Sequence, residues 1–489
     1  MPLRLSHSAL DALPDRVAAP GYDRAALSPG ILHFGLGNFH RAHQAEHLDR
    51  LFAMGEGQDW ALVGAGVFEG EKRARDILAA QDWLTTLVEQ EAGSSRAKVL
   101  GAMVDFIEPA NAPAIIARMA EPDIRIVSLT ITEGGYFLDP DDRFDPGHPA
   151  MAADAADPAH PGTVFGMILA GLRARRAAGL APFTIMCCDN IPHNGVVTKN
   201  TLTGLARLSD PDFADWITAN VAFPNSMVDR ITPATTDRER AILREEFGVE
   251  DGWPVFCEGF TQWVMEDNFP LGRPPLEKAG VQFVPDVAPY ELMKLRILNG
   301  GHAVIAYPAG LMDIHFVHEA MAHPLIRAFL RKLEETEILP NVPPVPDTSL
   351  PAYFDLIERR FSNPKIGDTV RRLCLDGSNR QPKFILPTLR DALAAGREVE
   401  GLALECALWC RYCAGVTGSG AEIAPNDPAW DSLTAVARAA KDRPQAWLDQ
   451  RAIYGELGQD PRLAEAFARH LAALWAEGTE AVLTRYCGG

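Results

Sequence analysis

Residues 31–48 read ILHFGLGNFHRAHQAEHL. The apolar run at 31–34 predicts a short buried strand, Gly35-Leu36-Gly37 a tight turn, and from about Phe39 the pattern turns helical. Strand, Gly-x-Gly turn and helix form the opening of a dinucleotide-binding unit. Gly35 permits the turn, and Gly37 lets a pyrophosphate approach the backbone at the positive helix N-terminus. The third glycine of the GxGxxG pattern is absent, with His40 in its place. By itself the motif reads equally well as a structural turn.

The next stretches favour the nucleotide reading. Residues 60–67, WALVGAGV, predict a second buried strand, followed at once by Glu69 and Glu71 in FEGEKRARD. An acid beyond the second strand can accept hydrogen bonds from an adenosine ribose, which favours NAD over NADP. Lys72 and Arg73 follow directly and leave a 2′-phosphate, and so some NADP use, open; a solvated helix start is the plain alternative. WLTTLVEQE and AKVLGAMVDF read as strands, and residues 111–120 as a helix. Residues 124–136, IRIVSLTITEGGY, predict a buried strand ending in a Gly-rich loop, where ligands of a parallel sheet gather. Residues 139–162 are rich in Pro, Asp and Ala and read as a surface insertion; 163–179 reads as an amphipathic helix. Residues 183–188, FTIMCC, predict another strand, running into the polar cluster Asp189-Asn190-Ile191-Pro192-His193-Asn194-Gly195. Asp229 and Arg230, in FPNSMVDRITPAT, read either as an ion pair or as pocket residues.

Strand-like alternation stops near Pro285, and helical periodicity runs from there to the end. The predicted fold class is α/β: an N-terminal Rossmann-type dinucleotide-binding domain over 1–285 and a mostly α-helical C-terminal domain over 286–489. The second domain opens with residues 290–310, YELMKLRILNGGHAVIAYPAG. At about 100° per residue, Lys294, Asn299 and His302 fall within an arc of roughly 140°, with Glu291 inside it. Interior helices rarely carry so many polar groups without a use for them. A lysine accepts a proton near neutral pH only where burial or charge lowers its pKa, and Asn and His N–H groups can hold an oxygen beside it. The plain alternative is a buried helix whose polar groups satisfy neighbouring loops. Gly300 and Gly301, costly in mid-helix, would let substrate or cofactor pass close to the backbone. Arg371, Arg372, Arg380 and Lys383 form a basic cluster suited to a hydroxyl-rich or carboxylated substrate, or else a surface salt-bridge network.

A chain of 489 residues is too long for one ordinary core. Its net charge of -19 argues against nucleic acid or an anionic membrane as the main partner. No window of about twenty residues is free of charges or breakers, and the N-terminus lacks the pattern of a signal peptide. The eight cysteines are scattered, as in a reducing cytoplasm. Cys410-Arg-Tyr-Cys413 is a lone CxxC in an apolar run and reads as core packing. No pair of close His/Cys/Asp positions has convincing zinc spacing.

Five stretches in one order, GLGNFHRAHQA (35–45), VSLTITEGGY (127–136), CDNIPHNG (188–195), FPNSMVDRITP (223–233) and MKLRILNGGH (293–302), resemble the polyol-specific long-chain dehydrogenases and reductases. The resemblance covers nearly the whole chain. It implies a Rossmann-type domain, a helical domain, an active site between them, no metal, and NAD as cofactor. It further implies Lys294 as general base, Asn190 and Asn299 as donors to the reacting oxygen, His302 as substrate-orienting, and Glu291 as gate for proton exchange. Asp229, Arg372 and Arg380 match substrate contacts, with arginine at 380 where a lysine is expected. Gly35, Gly37, Phe39, His40 and Arg41 match the cofactor turn. Glu71 matches the NAD-selecting acid, although Gly70 replaces a second acid. The expected reaction is NAD-dependent oxidation of D-mannitol to D-fructose and its reverse, by a monomer. D-arabinitol, sorbitol or fructuronate are the alternative substrates, and a dinucleotide-binding redox sensor is the non-enzyme alternative.

Overall fold

The computed structural model describes residues 2–139 and 142–488. Two compact units divide the chain, Met1–Ala288 and Pro289–Gly489. The first is built on a five-stranded parallel sheet of β1 (Pro29–Phe34), β2 (Ala61–Ala65), β3 (Met103–Phe106), β4 (Ile126–Leu129) and β5 (Thr184–Cys187). Their spatial order is β3-β2-β1-β4-β5, the doubly wound order of a Rossmann-type fold. The order reverses beside β1, and the register aligns Phe34 with both Ala65 and Leu129. The carboxyl ends of β1 and β4 therefore share one edge of the sheet.

The strands are apolar on both faces, as burial under helices on each side demands. Leu32 and Phe34 enter one core with Val127, Leu129, Ile185 and Cys187, while Ile31 enters the other with Leu62, Ile126 and Met186. Smaller sheets complete the unit. One joins Val255–Glu258, Thr85–Glu91, Ser94–Leu100 and Val17–Ala18, and another joins Ser226–Asp229, Gln262–Glu266 and Gln282–Val284.

Three expectations need correction. The single strand read over AKVLGAMVDF is two, Ser94–Leu100 and β3, which belong to different sheets. The chain crosses over at Gly101, whose N–H goes to Asp49 and whose carbonyl accepts from Arg24. The strand read over 124–136 stops at Leu129, because the N–H groups of Ile131 and Thr132 turn to the Asp189 carboxylate instead of to a neighbouring strand. The insertion at 139–162, of which 140 and 141 lie outside the described residues, is more than surface. It carries the helix Pro149–Ala156, whose Met151 is wholly buried and whose Asp154 accepts from Gly162, Thr163 N–H and the Thr163 hydroxyl.

The second unit is helical, with no strand among its described residues. Its centre is Gly300–Leu311, buried on nearly every side and packed against Pro324–Leu333, Val370–Leu373 and Glu400–Cys413. The CxxC lies in the last of these helices with both thiols buried and free. Desolvation pushes Cys410 and Cys413 well above the usual thiol range, which makes them packing groups and not nucleophiles.

Candidate active site

In the first unit the turn after β1 does what its glycines allow. Gly35 has φ +89, and a Cβ there would stand 2.0 Å from the Thr130 carbonyl oxygen at the end of β4. A side chain at Gly37 would meet only the Gly35 carbonyl oxygen, at 3.8 Å, so the backbone there stays open. The helix Asn38–Ala42 begins immediately, and first-turn N–H groups have no partner within their own helix. An open glycine beside such a terminus fits a dinucleotide pyrophosphate.

His40 replaces the third glycine by a different packing solution. Its ring stacks on that of His33 in β1, with centroids 3.5 Å apart. His33 is bonded to Ser128 at 2.8 Å and Thr130 at 3.0 Å, and burial pushes its pKa down to about 3. Burial, then His33 and Arg41, hold His40 far below the usual histidine range. The pair is therefore a neutral stack that seats the helix on the strand. Phe39 stacks on His43 at 4.8 Å. The Arg41 side chain is buried, donating to Asn38 Oδ1 at 2.7 Å and to the Trp253 carbonyl, with its guanidinium over the Trp253 ring. Its part in the turn is thus to brace it from within.

At the carboxyl end of β2, Glu71 Oε2 accepts from Val67 N–H at 2.7 Å and Phe68 N–H at 2.9 Å. One oxygen of the predicted ribose-reading acid is thus spent on shaping its own loop. Lys72 pairs with Glu108 at 2.6 Å. Glu69 is exposed, and beside it Phe68 is 70 % exposed, an apolar face at the strand end where an adenosine would lie.

At the end of β5, Asn190 is exposed while Asp189 before it is buried. Asp229 ends its strand buried, in register with Gln262. Arg230 beside it donates to the Ala42 and Glu258 carbonyls and to Glu89, tying helix to sheet.

In the second unit the stretch 290–310 is not one regular helix. Ala288–Met293 is α-helical, Lys294–Asn299 forms a wider π-helical turn, and Gly300–Leu311 returns to α. In an α-helix, residues five apart point about 140° away from one another. An i→i+5 turn brings Lys294 and Asn299, its first and last residues, towards one face, and such turns recur at functional sites. Glu291, Lys294, Asn299 and His302 are all buried. Arg296, on another face, is committed to Asp391 and the Asn341 carbonyl.

His302 stacks on Phe361 with centroids 4.1 Å apart. Burial first, then the positive charges of Arg372, Arg380 and Arg360, hold it well below the usual histidine range. It is a neutral imidazole, and its Nε2 makes no hydrogen bond. That nitrogen suits a substrate hydroxyl.

Two family domains match the chain. The mannitol dehydrogenase Rossmann domain matches residues 29–278, and the mannitol dehydrogenase C-terminal domain matches residues 286–475. The chain belongs to the mannitol dehydrogenase family. It is 61% identical to a mannitol 2-dehydrogenase of Cereibacter sphaeroides over 472 residues, 96% of this chain and 98% of the relative. A mannitol 2-dehydrogenase of Phaeosphaeria nodorum is 41% identical, over 99% of this chain and 86% of its own. Among solved structures, the Pseudomonas fluorescens mannitol 2-dehydrogenase in ternary complex with NAD and D-mannitol is 42% identical. It covers 99% of this chain and all of its own, with a TM-score of 0.88. A D-sorbitol dehydrogenase in substrate-free form is 35% identical with a TM-score of 0.92, covering 98% of this chain and all of its own.

In this mannitol dehydrogenase family member the basic cluster is largely committed to its own fold. Arg371 donates to the Ala424 and Pro425 carbonyls. Arg372 forks onto Asp368, with Nε 2.5 Å from Oδ1. Arg380 spends Nη1 on the carbonyls of Arg372, Leu373 and Leu375, which fixes its height over that helix end. The glycines beside Asn299 serve packing within the unit. A Cβ on Gly301 would meet Glu334 Oε1 at 3.2 Å and Leu330 and Phe361 at 3.5 Å, and one on Gly300 would meet the Phe384 carbonyl at 3.5 Å. Among the described residues, no group of three or more His, Cys, Asp or Glu side chains is arranged to hold a metal ion. No helix of these residues is long and apolar enough to cross a membrane.

The sequence reading missed the wide turn at 294–299, which periodicity at 100° per residue cannot express. It also missed the His33–His40 stack, for which the missing third glycine was the available signal.

Proposed function

We propose that this NAD-dependent polyol dehydrogenase oxidises D-mannitol to D-fructose, and runs the reverse reduction, with Lys294 as general base and without a metal. The observation that carries the reading is the wide turn that starts at buried Lys294 and ends at buried Asn299, one turn before the neutral His302. The 61% identity to a mannitol 2-dehydrogenase and the likeness to a mannitol 2-dehydrogenase complexed with NAD and D-mannitol support the substrate and the cofactor. The eight cysteines, all free, suit a reducing cytoplasm.

NAD, when bound, supplies the hydride acceptor. In its neutral form Lys294 takes the proton of the substrate's secondary hydroxyl. Asn190 and Asn299 donate amide N–H groups to the oxygen as negative charge grows on it; losing one such donor costs about 10²–10³ in rate. His302 orients a neighbouring hydroxyl through its unbonded Nε2. Asp229, Arg372 and Arg380 bind the remaining hydroxyls, and Glu291 passes the Lys294 proton towards solvent. In the reducing direction Lys294 returns the proton to the ketose oxygen.

The test is NADH consumption with fructose, fructuronate and xylulose side by side, with the hexitol formed from fructose identified. Mannitol as product, at the highest kcat/KM of the three, is expected. Sorbitol as the product would show hydride delivered to the other face of C2. Preference for fructuronate would make the arginines a carboxylate site. No turnover with any of them would revive the non-catalytic binding reading. Lys294→Ala should lose most turnover while NADH binding stays nearly intact; near-parent oxidation of mannitol by that variant would refute the assignment.

A further inference from the structure

We propose that Asp189 is a positioning residue for the reacting step, holding Asn190 in place by locking the end of β5 to the loop after β4. The inference rests on the reading of Asn190 as a donor to the substrate oxygen.

Three donors converge on the Asp189 carboxylate. Ile131 N–H lies 2.9 Å from Oδ2, Thr132 N–H 2.8 Å from Oδ1, and the Tyr136 hydroxyl 2.6 Å from Oδ2. The Tyr136 oxygen also lies 2.8 Å from Cys187 Sγ in β5 itself. Thr132 sits at φ +63, a conformation that is costly for a β-branched residue and persists only where its surroundings over-determine it. The hydrogen bond from its N–H to Asp189 is one such determinant.

The backbone of Asp189 is fixed as firmly as its side chain. Its carbonyl, which belongs to the peptide unit leading into Asn190, accepts from Asn194 Nδ2 at 3.1 Å. The same amide nitrogen reaches the Ser226 carbonyl at 2.8 Å, while Asn194 Oδ1 accepts from Ser226 N–H at 2.9 Å. The Ser226 hydroxyl donates to the Cys187 carbonyl at 2.6 Å. Asn190 is therefore an exposed amide on a pinned backbone, with a buried carboxylate behind it. An oxyanion donor gains most when it needs no reorganisation at the moment of reaction, and a misplacement of about 1 Å can cost about 10²-fold.

The test compares kcat for mannitol oxidation by NAD in the full chain and in Asn190→Ala, Asp189→Asn and the double variant. An amide at 189 offers one acceptor where three donors meet and adds donors of its own. Asn190→Ala should lose about 10²–10³ in kcat and Asp189→Asn about 10–10², with KM for NAD within about threefold of the parent. The double variant should be no slower than Asn190→Ala by more than about twofold, because a residue acting through another adds nothing once that other is gone. Parent-like turnover by Asn190→Ala would overturn the reading beneath the inference. A slow Asn190→Ala beside a parent-like Asp189→Asn would overturn the inference alone, as would a double variant slower by the product of the two effects. Tyr136→Phe removes one of the three bonds and leaves the carboxylate. It serves in the same comparison if Asp189→Asn does not fold.

Discussion

Glu405 lies wholly buried in Glu400–Cys413, where Oε1 accepts from Gln381 Nε2 at 2.5 Å. Burial pushes its pKa up to about 8, against an ordinary value of 4.5, and the Gln381 bond offsets only part of that. The folded chain thus binds a proton here that the unfolded chain has lost, so stability falls as pH rises from about 4.5 to about 8 and then levels. Each pH unit between the two values is worth about 1.4 kcal/mol, so the full penalty would be about 5 kcal/mol. In a unit of this size a penalty of about 5 kcal/mol corresponds to about 10–20 °C in Tm. Glu405→Gln keeps the acceptor for Gln381 and cannot ionise. Thermal unfolding followed by tryptophan fluorescence, with Trp409 and Trp447 packed 4.8 Å apart in the same unit, should show the parent losing this stability between about pH 4.5 and about pH 8. The variant should keep it. Glu334 and Glu337, also raised by burial, are common to both proteins and cancel in the difference. Parallel pH profiles for parent and variant would refute the assignment of a buried, protonated Glu405.

Gly35→Ala forces a Cβ to within 2.0 Å of the Thr130 carbonyl oxygen at φ +89. It should cost more than about 2 kcal/mol and weaken NADH binding, read by thermal melting and NADH fluorescence. Glu337 accepts from Gly401 N–H at 2.6 Å and Leu402 N–H at 2.9 Å, the first turn of its neighbouring helix. Glu337→Ala should lose about 1–2 kcal/mol in thermal unfolding, with kcat/KM unchanged at 25 °C. His302 is held neutral by burial and by Arg372, Arg380 and Arg360. An acid limb of the kcat/KM profile above pH 6 should therefore persist in His302→Asn, while KM for mannitol rises about tenfold or more, the loss of roughly one hydrogen bond.

The nucleotide-binding half was legible because it depends on local rules. A strand that must be apolar on both faces, a glycine that must take positive φ and a helix that must start at once leave marks within a few residues of one another. The run at 60–67 and the polar cluster after β5 were legible for the same reason. Residues 97–106 were not, since the run reads as strand on both sides of Gly101, and Arg24 and Asp49, which hold the crossover there, are distant in the chain. The arginine cluster was visible as charge. Its commitments to Asp368 and to backbone carbonyls were not, because hydrogen-bond partners are a property of the packed chain.

By itself the sequence determined that the chain opens with a dinucleotide-binding turn, ends in a helical unit, and carries Lys294, Asn299 and His302 on one stretch. Periodicity and residue chemistry suffice for that. Tertiary structure alone decided that this stretch widens at Lys294–Asn299, so that two residues an α-helix would hold about 140° apart come towards one face. It also decided that Glu71 folds back on its own loop and that Asp189 stands behind Asn190. Each of these rests on a balance among burial, backbone donors and neighbouring charge, which exists only once distant segments have been brought together.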